Sequence, residues 1–201
     1  MELPIRGRGG WRPGAGRPKG NRGSHETRPE FPGRYPLHVT LRVLRSVGSL
    51  RVQRRFAKIK RAFRYGSDRF GMKLAEFSVQ DDHIHLIVEA KDRHALTRGM
   101  QGLAIRIAKG VNKAIGRHGK VFGDRYHART LGTLAEVRNA VHYVRYNFHK
   151  HHPRAAHPWL VDVCSSAAGE ACWHVHDDGS ATMVVALPVT WLLRHVAPPA
   201  T

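Results

Sequence analysis

Apolar and polar residues alternate most regularly over residues 81–90. Successive side chains of a β-strand point to opposite faces, so this alternation predicts a strand with one buried face. The buried face would carry Ile84, Leu86, Val88 and Ala90. The outer face would carry His83, His85, Ile87 and Glu89. The pattern therefore predicts two imidazoles side by side on one strand, as in half of a divalent-metal site or in a site that senses a phosphate anion.

The rest of the chain shows three further strand patterns and three helical ones. The strand patterns cover residues 37–44, 73–79 and 121–131, the last of them short and mixed. Apolar residues recur with helical spacing over residues 51–65, 95–115 and 133–150. This order predicts an α+β fold, a ferredoxin-like or RRM-like antiparallel sheet with helices on one face. Such a fold leaves the other face, with His83 and His85, open to a ligand.

Composition divides the chain into three parts. Residues 1–35 are rich in Gly, Arg and Pro, which predicts a disordered basic arm. Residues 36–153 form the patterned domain, and residues 154–201 form a C-terminal extension. In the arm, residues 16–20 resemble an AT-hook core, in which Arg17 and Lys19 would enter a narrow minor groove. The alternative is a solvated tail that attracts phosphates without specificity. In the extension, two cysteines and a His-x-His pair are too irregularly spaced for a convincing zinc site.

The charge balance indicates a polyanionic partner. The 201 residues include 34 Lys and Arg against 15 Asp and Glu, a formal net charge of +19. Such a protein is expected to bind nucleic acid or an anionic membrane. No apolar run approaches the roughly 18 residues that cross a bilayer, and no secretory signal is evident. Two cysteines fit a reducing compartment, so we expect a cytoplasmic protein that binds nucleic acid. The candidate contacts outside the arm are Arg54, Arg55, Lys58 and Arg61 of the first helix and Arg125 and Arg129 of the mixed segment.

The third helix places a tyrosine and an asparagine on the flank of its apolar stripe. At about 100° per residue, Tyr146 lies almost opposite the stripe and should face solvent. Tyr143 and Asn147 lie on the flank, four residues apart and therefore adjacent on the helix surface. If the helix packs beside the histidine face, both would converge on His83 and His85. The alternative is that Tyr143 is an edge residue without chemistry, and periodicity alone favours that alternative.

The two motifs together resemble those of the single-tyrosine HUH transposases, which include insertion-sequence transposases and REP-associated tyrosine transposases. In that family a hydrophobic residue separates two metal-binding histidines on a central strand, as Ile84 does here. A later helix carries the nucleophile in a Tyr-Ile-x-x-Asn-Pro pattern. Residues 143–147 match it, although Phe148 replaces the proline. Residues 121–129 are similar to the family's aromatic- and Arg-containing segment, so the resemblance spans roughly residues 35–153.

The resemblance implies a bacterial, nucleoid-associated transposase that cleaves and rejoins DNA, single-stranded or folded as a hairpin, through a 5′-phosphotyrosine intermediate. Tyr143 would be the nucleophile. His83, His85 and Asn147 would hold a divalent ion, Mg²⁺ or Mn²⁺. The sequence leaves open whether the protein forms a homodimer and whether the tyrosine serves its own chain.

The main alternative is a nucleic-acid-binding protein without catalytic activity, with an RRM-like sheet or derived from a transposase that kept only DNA binding. An RRM stacks bases on aromatic side chains of its sheet. The predicted hairpin strands offer only Phe77, and the outer face of the histidine strand offers imidazoles. The sequence therefore favours the enzyme.

Overall fold

The computed structural model describes residues 30–151, 161–168, 173–175 and 181–196. The strands are β1 Leu37–Arg42, β2 Asp68–Arg69, β3 Met72–Val79, β4 His83–Ala90, β5 His127–Thr130, β6 Trp173–Val175 and β7 Ala181–Met183. The helices are α1 Gln53–Gly66, α2 Arg93–Ile115, α3 Leu134–His151 and α4 Trp191–Val196, with a 3-10 helix at Arg45–Val47. Among these helices none has the length and apolar character needed to cross a membrane. Arg17, Lys19 and Cys172 lie outside the described residues.

The first five strands form one sheet in the order β2-β3-β4-β1-β5, and every neighbouring pair is antiparallel. The predicted α+β class with a ferredoxin-like antiparallel sheet is therefore confirmed. The inward side chains of β4 pack with α1 and α2 in the main core, as the apolar stripes of both helices require. Its fully buried members include Ile59, Phe63, Leu86, Met100, Leu103 and Ile107.

The opposite face of the sheet, which we call the outer face, is partly covered by α3 and α4. Both helices pack around Ile87 of β4 and Ala75 of β3. The helical side of this second core consists of Val137, Val141, Val144, Leu192 and Leu193. The outer face is therefore less open than a sheet with helices on one face only would be. The physical reason is the apolar stripe of α3, which needs an apolar partner and finds Ile87 among the polar residues of β4.

A β-bulge in β3 changes which side chains reach the outer face. The register against β4 shifts between Leu74 and Glu76, so Glu76 lies opposite Ile87 and shares its face. Glu76 is buried, and its carboxylate accepts hydrogen bonds from Arg145 Nη2 at 2.5 Å, from Arg145 Nε at 3.2 Å and from the Ser166 hydroxyl. The bulge thus supplies a buried anion that holds α3 in place through Arg145.

Residues 161–168 complete the edge of the sheet beside β3. Val79 N donates to Cys164 O, and Ser166 N donates to Phe77 O, each at 2.9 Å. Asp162 has a side chain with no exposed surface, and it forms a two-point ion pair with Arg51 at 2.7 Å and 3.0 Å. Burial raises the pKa of the Cys164 thiol to about 11. This part of the C-terminal extension therefore packs into the same core as the strands.

Replacing Asp162 by Asn should lower the free energy of unfolding by about 3–5 kcal/mol, because the Arg51 guanidinium, only 15 % exposed, would lose its counter-charge. Urea denaturation followed by circular dichroism measures this loss. Asp68→Asn is the matched control, since Asp68 pairs with Lys73 at 3.0 Å on the surface. An exposed pair contributes only about 0–1 kcal/mol. Equal losses in the two variants would contradict the role given to the buried pair.

Candidate active site on the outer face

The register of β1 against β4 and β5 gathers polar side chains on the outer face. Thr40 lies opposite both His85 of β4 and His127 of β5. His38 lies opposite both Ile87 of β4 and Arg129 of β5. Directly opposed residues of an antiparallel pair share one face. Two neighbouring strands therefore bring three histidines together, His38 from β1 and His83 and His85 from β4.

His85 is the centre of this cluster and makes contacts through both ring nitrogens. Its Nδ1 lies 3.1 Å from His38 Nε2 and 3.2 Å from Thr40 Oγ1. Its Nε2 lies 3.5 Å from the hydroxyl of Tyr143. With the proton on Nδ1, the imidazole donates to His38 or Thr40 and turns the lone pair of Nε2 towards the phenol. The same tautomer makes Nε2 available as a metal ligand.

His38 is kept in its neutral form by its surroundings. Burial, and then the nearby charges of His127 and Arg129, lower the pKa of His38 from 6.5 to about 4. A neutral imidazole has one nitrogen that accepts a hydrogen bond, whereas the protonated form has none. At neutral pH His38 can therefore accept the Nδ1 proton of His85.

His83 is oriented by its sequence neighbour Asp82. The ring of His83 stands edge-on to the ring of His85, with 4.7 Å between their centroids. Its Nδ1 lies 2.6 Å from the Asp82 carboxylate, and this hydrogen bond lowers the pKa of Asp82 below its usual value. A carboxylate at Nδ1 is a common way of orienting a metal-binding imidazole through its other nitrogen.

The flank of α3 lies over the histidines. The Tyr143 ring is 5.1 Å from the His85 ring in an edge-on arrangement. Asn147, one turn further along α3, is 2 % exposed, and neither its Oδ1 nor its Nδ2 has a hydrogen-bond partner among the described residues. Burying an unpaired amide costs free energy, so this side chain fits a group that meets a ligand. Tyr146 is 46 % exposed and stacks on His142.

Phe148 stands where the resembling family has proline, and it has a contact of its own. The Arg51 guanidinium carbon lies 4.4 Å from the centroid of the Phe148 ring. Arg51 also carries the ion pair with Asp162. The residue that departs from the motif therefore ties the end of α3 to Arg51, just before α1, and through it to residues 161–168.

The donor set for a metal ion is incomplete by itself. Within the parts of the chain that the structure describes, no group of three or more His, Cys, Asp or Glu side chains is placed to hold a metal. The site offers two imidazoles edge to edge and one buried, unpartnered amide. Such nitrogen and oxygen donors fit a divalent ion that completes its coordination with phosphate oxygens or water.

Four of the candidate DNA contacts lie on the other face of the sheet from the tyrosine. Arg54, Arg55, Lys58 and Arg61 belong to α1, on the opposite face of the sheet. Arg54 and Arg61 are exposed, whereas Arg55 turns inwards and donates to Ser49 O at 2.6 Å. Arg129 lies on the outer face, paired with Glu136 at 2.5 Å, and Arg125 is exposed just before β5.

A basic groove between α1 and α2 was not predicted. It has a volume of about 400 Å³, and its cations are Lys58, Arg61, Arg106, Lys109 and Lys113. Sequence reasoning also missed His38 and Thr40. Their signal was present, because Leu37, Val39 and Leu41 alternate with them and so place both on the outer face of β1.

Known proteins share parts of this sequence and fold. Residues 35–147 match the family model described as "Transposase IS200 like". The fold is similar to that of a REP-associated tyrosine transposase bound to a REP hairpin, with a TM-score of 0.53 and 16 % identity over 82 % of this chain and 94 % of that one. A proposed transposase from Deinococcus radiodurans R1 has a TM-score of 0.41 and 15 % identity over 59 % of this chain and 91 % of that one. No curated protein matches the chain.

In metal-free protein, His38 should titrate with a pKa near 4, which NMR of its ring protons measures. Because the folded pKa lies below 6.5, the unfolded state binds the proton more readily. The contribution of His38 to stability is therefore complete above about pH 6.5 and is lost as the pH falls towards 4. The His38→Gln variant identifies the His38 signals, because they are missing from its spectrum. This variant should also lose less stability than the wild type between pH 6.5 and pH 4. A midpoint near 6.5 would mean that the ring is solvated.

Proposed function

Because the chain belongs to the IS200-like transposase family, we propose that it cleaves and rejoins single-stranded DNA with Tyr143 as the nucleophile. One observation carries this proposal. The Tyr143 hydroxyl lies 3.5 Å from His85 Nε2, on a face that also holds His83 and is covered by the helix of the buried Asn147 amide. The family match supports a transposase, and this geometry supports the choice of tyrosine.

The proposed reaction exchanges one phosphodiester bond for another. The Tyr143 oxygen loses its proton and forms a bond to a backbone phosphorus, while the bond from phosphorus to the 3′ oxygen breaks and that oxygen gains a proton. The products are a 5′-phosphotyrosine and a 3′-hydroxyl. Attack by a 3′-hydroxyl reverses both bond changes and releases the tyrosine, so rejoining needs no other energy source. A protonated phenol is a weak nucleophile, so the negative charge of the phosphate must be neutralised before the oxygen can attack.

We propose that His83, His85 and Asn147 hold Mg²⁺ or Mn²⁺ for this purpose. When bound, the ion would act as a Lewis acid on the phosphate. The chain prepares the two imidazoles for that role. Asp82 occupies Nδ1 of His83, and His38 and Thr40 occupy Nδ1 of His85. Each ring then offers Nε2 as its ligating nitrogen, which is how outer partners orient metal-binding histidines.

We propose also that Tyr143 serves the site of its own chain. α3 packs on its own sheet through Val141, Val144 and Ile87. The ion pair between Arg145 of α3 and Glu76 of β3 also holds the helix on the sheet, and the Glu76 side chain is 6 % exposed. Exchange of α3 between two chains would have to separate this pair first and would only rebuild contacts that one chain already makes. One chain would therefore form a complete catalytic unit, and a homodimer would not be required.

The proposed substrate is DNA, either single-stranded or folded as a hairpin, and the similar transposase is itself bound to a REP hairpin. Because the basic groove between α1 and α2 lies on the opposite face from Tyr143, we propose that it binds DNA away from the point of cleavage, together with Arg17 and Lys19. Arg125 and Arg129 would bind nearer to the cleaved strand. DNA binding would place the protein on the bacterial nucleoid in the cytoplasm.

A non-catalytic RRM-like binder has less support. Its sheet would present aromatic side chains to the bases. Phe77, the aromatic residue of the β3–β4 hairpin, is fully buried in the main core. The outer face of that hairpin carries histidines beside a tyrosine hydroxyl instead.

Tyr143→Phe should abolish the covalent adduct with single-stranded DNA from the flanks of the gene, because the attacking oxygen is lost. DNA affinity should stay nearly unchanged. A denaturing gel with labelled DNA and Mn²⁺ measures the adduct, and Tyr146→Phe, which should keep it, is the matched control. A mixture of Tyr143→Phe and His85→Ala chains should also form none, because each tyrosine serves its own chain. Loss of the adduct in Tyr146→Phe alone would overturn the assignment.

His83→Ala and His85→Ala should each eliminate cleavage and weaken Mn²⁺ binding, since the remaining donors cannot hold the ion firmly. Asn147→Ala should have a smaller effect, because an amide oxygen is a weaker ligand. Calorimetry with Mn²⁺ measures binding without any reaction, and His142→Ala controls for the loss of an exposed imidazole of α3. Cleavage that persists in EDTA would refute the role of the metal.

A further inference from the structure

A second cavity lies on the same side of the sheet as Tyr143, between the segment before β1 and the start of α4. Its volume is about 450 Å³, and its lining includes Arg34, Tyr35, Thr190, Trp191 and Leu192. Tyr35 and Leu192 belong to the apolar cluster that also contains Val141 and Val144 of α3. Tyr35 precedes His38 by three residues, which span at most about 10 Å of extended chain. The cavity is therefore a neighbour of the candidate active site.

Two aromatic rings line this cavity. Trp191 is 60 % exposed, and one side of its indole is supported by the His195 ring at 4.2 Å. Tyr35 is partly buried, and the Arg34 guanidinium carbon lies 4.9 Å from its ring centroid. Stacking of bases on aromatic rings beside cations is how proteins bind single-stranded nucleic acid without sequence preference.

A buried hydroxyl in the lining lacks a partner. Thr190 is 7 % exposed, and its Oγ1 makes no hydrogen bond to any residue that the structure describes. Its backbone N–H is already used, since it donates to Glu89 Oε1 at 2.7 Å. A hydroxyl without a partner costs free energy when it is buried, and the polar edge of a ligand would relieve that cost.

The charged side chain in the lining of the cavity is an arginine, which favours an anionic ligand. No carboxylate belongs to its lining, and both oxygens of the nearby Glu89 accept backbone N–H groups, those of Val189 and Thr190. Arg34 is exposed and forms no ion pair with a carboxylate in the described part of the chain. An unpaired guanidinium beside two aromatic rings matches a phosphate linked to a base.

We infer that this cavity binds a nucleotide of single-stranded DNA next to the cleaved one, with the base stacked on Trp191 and Tyr35 and the phosphate on Arg34. The inference rests on the proposed function for the identity of the strand. The cavity would add a second contact to the same DNA strand, besides the contact of its phosphate with Tyr143. Because stacking uses the π-face that all four bases share, the site would hold the strand with little sequence preference.

The test is the affinity of the full chain for a single-stranded oligothymidylate of about 16 nucleotides, measured by fluorescence anisotropy in EDTA. Trp191→Leu should weaken binding about 5- to 100-fold, since stacking on one aromatic ring contributes that much. Trp191→Phe should bind close to wild type, because it restores an aromatic face. Leu187→Ala is the matched control, as Leu187 is 54 % exposed in the same segment but does not line the cavity.

An abasic oligonucleotide of the same length separates stacking from contacts to the backbone. On abasic DNA, wild type and Trp191→Leu should bind equally. Arg34→Ala should flatten the plot of log affinity against log salt by about 0.7, the value for one phosphate on a single strand, whereas Trp191→Leu should leave its slope unchanged. Wild-type affinity of Trp191→Leu for the oligothymidylate, or an equal loss on abasic DNA, would overturn the inference.

A different result would overturn the proposed chemistry. Trp191→Leu should still form the covalent adduct with Mn²⁺ at saturating DNA, because it removes no proposed catalytic group. Absence of the adduct in the wild-type protein would refute cleavage by Tyr143, and the affinity comparison in EDTA would still decide whether the cavity stacks a base.

Discussion

The packing of α3 on Ile87 and Ala75 is the contact on which the candidate site depends. This packing contact determines the direction in which Tyr143 and Arg145 of α3 point. Tyr143 stands on one flank of the stripe and meets His85, while Arg145 on the other side meets Glu76. A shift of one residue along a helix turns a side chain by about 100°, so a different packing contact would separate the phenol from the imidazoles. The apolar contact thus sets the geometry of a polar site.

Three carboxylates in the described part of the chain serve its interior. Glu76 binds Arg145, Asp162 binds Arg51, and Glu89 accepts two backbone N–H groups at the start of α4. All three carboxylates are buried. Because they are buried, these three carboxylates do not offset the exposed cations of the helices. With a formal net charge of +19, the protein as a whole attracts polyanions.

The sequence predicts the features that depend on the spacing of apolar residues within one strand or one helix. The two-residue period of β4 and the helical period of α3 each place their polar residues correctly, because a buried face must be apolar. The spacing of residues within one element does not predict which distant segments of the chain pair with each other. His38 meets His85 because β1 neighbours β4, and Arg51 meets Asp162 across 111 positions of sequence. Glu76 is a sharper case, since simple alternation with Leu74 would place it in the main core, and the bulge moves it to the outer face.

The bonds from Ser166 to Glu76 and from Asp162 to Arg51 have a consequence for the order of assembly. The ribosome makes α3 before it makes residues 161–168, yet those residues bind Glu76 of β3 and Arg51, the two groups that hold α3 through Arg145 and Phe148. Contacts between distant segments also form late in folding, because the loop between them must close first. A nascent chain that has just exposed the tyrosine helix therefore lacks the supports that aim it. The candidate site is therefore fully supported only after synthesis has passed residue 166.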